Sequence, residues 1–192
     1  MIDLSFKNSE KPAKGKVLLS DPFMDEDYFR RSMVYLCEHN ADGSYGFVLN
    51  NFLPINLKDL GDNFPDIETQ LTIGGPIDKD NLYFLHTLGD VLENSIPIKD
   101  NICLGGDFET LSKLLSENKK LIQKVRFFVG YSGWTVNQLE NEINENSWIV
   151  VNLGKKSDLF SSKLTQTWNK YLKKQGGKFE IIADFTINPR YN

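Results

Sequence analysis

The chain has 192 residues, 40% hydrophobic and 12% aromatic, which is enough for one sizeable core. Its net charge of −4 and pI near 5.3 argue against a protein built around nucleic acid. No apolar run approaches the about 18 residues of a membrane span, the start "MIDLSFKNSEKPAKGK" lacks the pattern of a secretory signal, and Cys37 and Cys103 are too few for a disulfide framework.

The expectation is a cytoplasmic protein. Its charge is uneven: residues 1–112 hold 9 basic and 19 acidic side chains, and residues 113–192 hold 13 and 7. Lysines such as Lys119, Lys120, Lys124, Lys170, Lys173, Lys174 and Lys178 read first as a solvated face that complements the acidic half, so specific nucleic-acid binding is not expected.

In chain order, "KVLLS" (16–20) and "SMVYLCEH" (32–39) read as strands, and "SYGFVLN" (44–50) returns as a hairpin after the turn "NADG". Along 32–39, Met33, Tyr35 and Cys37 alternate with Val34 and Leu36, which makes both faces apolar and the strand central. A short helix near 56–60, strands near 70–73 and 82–87 and a helix at 107–117 capped by Asp107 follow. "GGP" (74–76) reads as a tight turn, and "KVRFFVGY" is a second buried strand. In "SDLFSSKLTQTWNKYLKKQGG", Phe160, Leu164, Trp168 and Leu172 recur every four residues, so the pattern predicts one long amphipathic helix ended by Gly176.

The segment "GYSGWTVNQLENEI" (130–143) has two readings. Thr135 and Gln138 have capping-box spacing, Trp134 and Leu139 the spacing of a hydrophobic staple, and Val136, Leu139 and Ile143 an inward stripe. Gly130 and Gly133 permit positive φ or close backbone approach where a strand turns into a helix. The same arrangement exposes helix N–H groups that can hold an anion, although no Walker or dinucleotide motif is present. Glu142 reads as exposed, paired or held for a ligand, and Glu142→Gln is expected to leave folding almost intact.

Catalytic patterns are sparse. His39 and His86 are the two histidines, without HExxH or zinc-finger spacing, so neither a metal nor a cofactor is expected. Cys37 reads as a buried small hydrophobe, while Cys103, next to "LGGD", is open to either burial or exposure. The acidic run Asp21, Asp25, Glu26 and Asp27 reads as an exposed loop without a calcium-loop pattern.

The ordered series "KGKVLLSDPFMDEDYFRRSMVYLCEH", "GSYGFVLN", "IGGPI", "RFFVGYSGWTVNQLENEINENSWIVV" and "NPRYN" resembles the bacterial YqgE/AlgH family over residues 15–192, leaving 1–14 as an N-terminal extension. The resemblance implies a single α+β domain with a bent, partly bifurcated mixed β-sheet approaching a barrel, and flanking helices. One branch of the family is named as a transcriptional regulator of alginate production, a label that does not establish DNA contact.

The resulting expectation is a non-catalytic domain that binds a protein or small-molecule partner, with a regulatory role. Candidate binding residues are Asn50, Gly74, Gly75, Pro76, Gly130, Tyr131, Gly133, Trp134, Gln138 and Glu142. The alternatives are an enzyme with its site at the glycine-bearing turns, and a regulator contacting DNA.

Overall fold

Strand β2 (Met33–Asn40) is apolar on both faces, so it must be covered on both, and the chain is arranged to do this. The structure, a computed structural model, describes residues 8–161 and 166–184. Met33, Tyr35 and Cys37 enter one buried cluster, and Val34 and Leu36 enter another on the opposite face. On one edge β2 pairs antiparallel with β1 (Lys16–Ser20), and on the other with β3 (Gly43–Val48), the expected hairpin partner. Outside β1 lies β10 (Trp148–Asn152), also antiparallel, with Leu18 opposite Val150.

The second half of the sheet is organised by β9 (Val125–Trp134), longer than the expected strand because "SGW" continues it. One edge of β9 pairs with β6 (Ile77–His86). The other edge is shared: Phe128 and Val129 pair parallel with β5 (Gln70–Ile73), whereas Ser132, Gly133 and Trp134 pair antiparallel with β3. The sheet therefore splits at β9. β5 also pairs with β4 (Phe52–Asn56), and β6 leads on to β8 (Ile102–Leu104) and β7 (Ile96–Lys99). The result is a single ten-stranded mixed sheet that bifurcates and stays open between β10 and β7, in line with the expected α+β domain and its partly bifurcated mixed sheet.

Three apolar clusters fill the space around this sheet. α1 (Phe108–Glu117), capped by Asp107 as expected, packs Leu111 and Leu115 against Val125 and Phe127. α2 (Gln138–Asn144) covers Val34 and Leu36, and α4 (Thr167–Lys173) covers the opposite face with Trp168 and Leu172.

The single long helix expected over the last third is not formed. α3 (Lys156–Phe160) ends at Ser161, whose backbone is extended at φ −74°, ψ 133°, and α4 is a separate helix. Trp168 and Leu172 are fully buried, while Leu164 falls outside the described residues. Spacing identified the apolar stripe but not the break, because the same residues are buried whether the axis continues or bends. Gly176 (φ 73°) follows α4, and α5 (Lys178–Ile182) comes after it. Lys119 and Lys173 lie 3.7 and 2.7 Å from Asp66 and Asp184.

Residues ahead of β1 also reach the sheet. The Asn8 amide donates to Trp148 O at 3.0 Å and its carbonyl oxygen accepts from Val150 N at 2.7 Å, so one side chain occupies the outer edge of β10.

Arg126 on β9 is 5% exposed and forms no ion pair among the described residues. Its NH1 donates to the carbonyls of Leu159 (2.8 Å) and Ser161 (3.4 Å), and its NH2 to Leu49 O and Thr72 Oγ1, with Nε also on Thr72. The guanidinium also lies over Phe52 and Phe128. Burial lowers its pKa to about 9, which keeps it cationic at neutral pH. Its carbonyl acceptors belong to the backbone and cannot be replaced along with the cation. Arg126→Met should therefore lower stability in urea denaturation by about 3 kcal/mol or more, from the lost charged hydrogen bonds and the orphaned carbonyls.

Candidate functional site

The two glycine-bearing turns meet in space. Gly74, after β5, passes so close to β9 that a side-chain carbon there would stand 2.3 Å from Gly130 O, and one on Gly75 would stand 2.3 Å from the Tyr131 carbonyl. Gly130 adopts φ 67° and faces Ile77 O in the same crossing. Hydrogen bonds fix the arrangement: Gly74 N donates to Val129 O, Gly74 O accepts from Val48 N, and Ser132 Oγ donates to Gly74 O, each at 2.9 Å. Pro76 leaves this crossing on the exposed side. These glycines are needed for backbone contact.

Asn50 sits between Val48 and Asn51, which bond Gly74 and Ile73, but its own side chain serves a different turn. Its Oδ1 accepts from Met33 N at 2.9 Å and its Nδ2 donates to Arg31 O at 2.7 Å, closing the chain where Arg31 takes φ 49° ahead of β2.

At the end of β9 the expected capping box is only half made. Thr135 N donates to Gln138 Oε1 at 3.0 Å, but α2 begins later, at Gln138, with Asn137 (φ 60°) as its N-cap. Trp134 and Leu139 are buried in one cluster without occupying staple positions, and Val136, expected inward, is 56% exposed. The left-handed Asn137 rotates the start of the helix, a backbone choice that side-chain spacing does not reveal.

Glu142 is the hub of this region. Its Oε2 accepts from the indole N–H of Trp134 (2.8 Å) and of Trp148 (2.7 Å), and its Oε1 accepts from the Gln138 amide (2.9 Å). The two indoles meet edge to face at 5.7 Å, and Phe29 packs against both. A carboxylate thus serves two buried tryptophans that each need an acceptor. Glutamine at this position would turn an amide donor toward the donor of Gln138, whose own oxygen is held by Thr135. The expectation that Glu142→Gln is nearly neutral is accordingly replaced: the change should cost about 1–2 kcal/mol, read as a lower denaturation midpoint, because charged hydrogen bonds are lost and donors face each other.

Beside this hub lies a groove of about 430 Å³ whose lining includes Tyr131, Gly133, Trp134, Ile77, Tyr45 and Glu38. Gly133 leaves it open, since a side-chain carbon there would come within 3.0 Å of Ile77 and 3.4 Å of the Tyr131 ring. Among the candidate residues, Tyr131, Gly133 and Trp134 line this groove, Gln138 and Glu142 brace Trp134 from behind, and Gly74, Gly75 and Gly130 form the crossing next to it.

The histidines and cysteines are occupied by the fold. His39 Nδ1 contacts Ser44 Oγ at 2.7 Å, and its Nε2 is 3.5 Å from Glu140. Both cysteines are buried, and burial raises both thiol pKa values. Among the described residues no group of three or more metal-ligating side chains gathers, and Asp25 of the acidic run pairs with Arg30.

His86 Nδ1 accepts from Leu88 N at 3.0 Å, so Nε2 carries the proton given to Gly105 O at 2.7 Å. Protonation would break the first bond, and burial lowers the His86 pKa. A lowered folded-state value means that the unfolded chain binds the proton first as pH falls. Stability should therefore be full above about pH 6.5 and decline as pH drops from there toward the lowered value. Melting temperature against pH should show this slope, and His86→Gln should flatten it.

Two residues that bear on sites escaped the sequence reading. Arg126 was legible as a cation inside "KVRFFVGY", and Tyr35 as a hydroxyl in a two-faced buried strand. Each raised the question of a polar partner.

Comparison with known proteins adds the lineage. A family model described as AlgH-like matches residues 17–180. A UPF0301 protein of Cytophaga hutchinsonii is 37% identical over 180 residues, covering 93% of this chain and 98% of the relative. One of Bacteroides thetaiotaomicron is 38% identical over 186 residues, covering 96% and 94%. In three dimensions the chain is similar to a crystal structure of a Corynebacterium diphtheriae protein (TM-score 0.76, 20% identity, 94% and 95% covered). It is also similar to the solution structure of the AlgH protein from Pseudomonas aeruginosa (TM-score 0.69, 21% identity, 95% and 100% covered). Residues 17–180 of the fold and its motifs are thus those of one lineage, and the chain belongs to the AlgH-like family.

Proposed function

We propose that this chain is a non-catalytic binding domain whose groove beside Tyr131, Gly133 and Trp134 receives a segment of a partner protein carrying an apolar residue flanked by lysine or arginine. The carrying observation is the lining: Ile77, 39% exposed, with Tyr45 and Tyr131 edge to face at 6.2 Å, supplies an apolar wall, while its charged residues are both acidic, Asp42 and Glu38, the latter meeting Lys14 at a loose 3.5 Å. An apolar wall with acids at its rim suits a cationic segment with one buried anchor. The non-catalytic part of the reading is supported by what the reactive groups do: Glu142, His86 and the two cysteines serve the fold. Regulation would then act through whether the partner is held, with no DNA contact needed. No described helix is long and apolar enough to cross a membrane.

Short peptides with a central leucine flanked by lysines, titrated into labelled protein, should shift the amides of Ser44, Gly133 and Thr135, more weakly as salt rises. Gly133→Val should abolish the response by filling the groove. Equal response to glutamate-flanked peptides, or shifts confined to another face, would defeat the proposal.

A further inference from the structure

A second cleft, of about 490 Å³, lies on the far side of β2, between the start of β1, the end of β10 and the β7–β8 turn. Its lining includes Gly15, Lys99, Asn101, Asn152, Gly154 and Lys156 of α3. Tyr35, 0% exposed, is part of its lining, and the Tyr35 hydroxyl is buried without a hydrogen-bond partner among the described residues. Burial raises the Tyr35 pKa, so the group remains a proton donor. An orphaned buried hydroxyl carries an unreturned desolvation cost, whereas polar groups in protein interiors are almost always satisfied.

The charges around the cleft are arranged to match. Neither Lys99 nor Lys156 has an ion pair or side-chain hydrogen bond among the described residues. Nearby acids are mostly engaged: Glu10 with Lys16 at 2.7 Å, and Asp158 with the Tyr171 hydroxyl at 2.9 Å. Asp100, in the hairpin turn, is the one carboxylate in the lining, so the two lysines leave it net positive. The Lys99 stem lies against Gly15, where a side-chain carbon would come within 2.6 Å of it, so the glycine seats the lysine.

We infer that this cleft binds a small oxyanion-bearing metabolite, whose phosphate or carboxylate oxygens accept from the Tyr35 hydroxyl and lie between the ammonium groups of Lys99 and Lys156. Its volume falls in the range of small-molecule sites, and a single buried donor at the base of a cationic cleft fixes orientation while the lysines supply attraction. The site is separate from the groove at Tyr131 and does not depend on it.

The test uses the whole chain and two probes, inorganic phosphate and acetate, titrated at constant ionic strength while amide resonances are followed. Saturable shifts at Gly15, Asn101 and Gly154 are expected, the stronger probe distinguishing a phosphate from a carboxylate. Tyr35→Phe should keep or raise the melting temperature, because an unsatisfied hydroxyl is removed, and should weaken the bound probe about tenfold. Lys99→Met together with Lys156→Met, which preserves the stems, should abolish saturation. Absence of saturable shifts with both probes would overturn the inference, as would undiminished binding by Tyr35→Phe. A melting temperature several degrees lower in Tyr35→Phe without any probe would also overturn it, by showing that the hydroxyl already has a solvent partner.

Discussion

A buried cation that no described carboxylate pairs holds the split sheet together. Where β9 exchanges one neighbour for another, β5 and the segments around β3 and α3 must be drawn to a single place. Arg126 does this by donating to Leu49, Thr72, Leu159 and Ser161, which come from three separate parts of the chain. The planar fork suits divergent acceptors in a way a lysine ammonium does not. Its carbonyl partners supply no compensating negative charge, so the energy rests on complete satisfaction of its donors and on the aromatic faces of Phe52 and Phe128. The parallel pairing of β5 with β9, the path of β4 and the end of α3 all depend on that position being filled.

The same economy governs the glycine crossing and the acid beneath it. Gly74, Gly75 and Gly130 allow main chains to touch, and Glu142 fixes Trp134, part of the groove wall, against the buried Trp148. A rigid wall of this kind is useful to a binding surface, since little side-chain freedom is then lost on association. It also explains why a segment rich in glycine, tryptophan and acid can look chemical in sequence while its members serve geometry.

Much of the architecture was legible because burial leaves a period. The alternation in 32–39 located β2 and both of its covering layers, and Asp107 marked the start of α1. What was illegible depends on backbone choices or distant partners. The extended Ser161 breaks a stripe that reads as continuous, and Asn137 in the left-handed region moves the start of α2 by a few residues and turns Val136 outward. The three donors that converge on Glu142 come from Trp134, Gln138 and Trp148, and only the fold brings the two indoles together there. Of the candidate residues, those in "GYSGW" and "GGP" do converge, whereas Asn50 serves a turn elsewhere.

The contact of Asn8 with β10 has a consequence for how this molecule avoids its own copies. An open sheet ends in strands whose outward N–H and C=O groups are a template for another chain. On β10 the amide of Asn8 presents both a donor and an acceptor to Trp148 and Val150, imitating one residue of a neighbouring strand without offering a further edge. Asn8→Ala would leave the same groove, yet it would expose the unpaired carbonyl of Trp148 and N–H of Val150, flanked by Ile149 and Val151. Loss of this one contact would then appear as self-association rather than as unfolding.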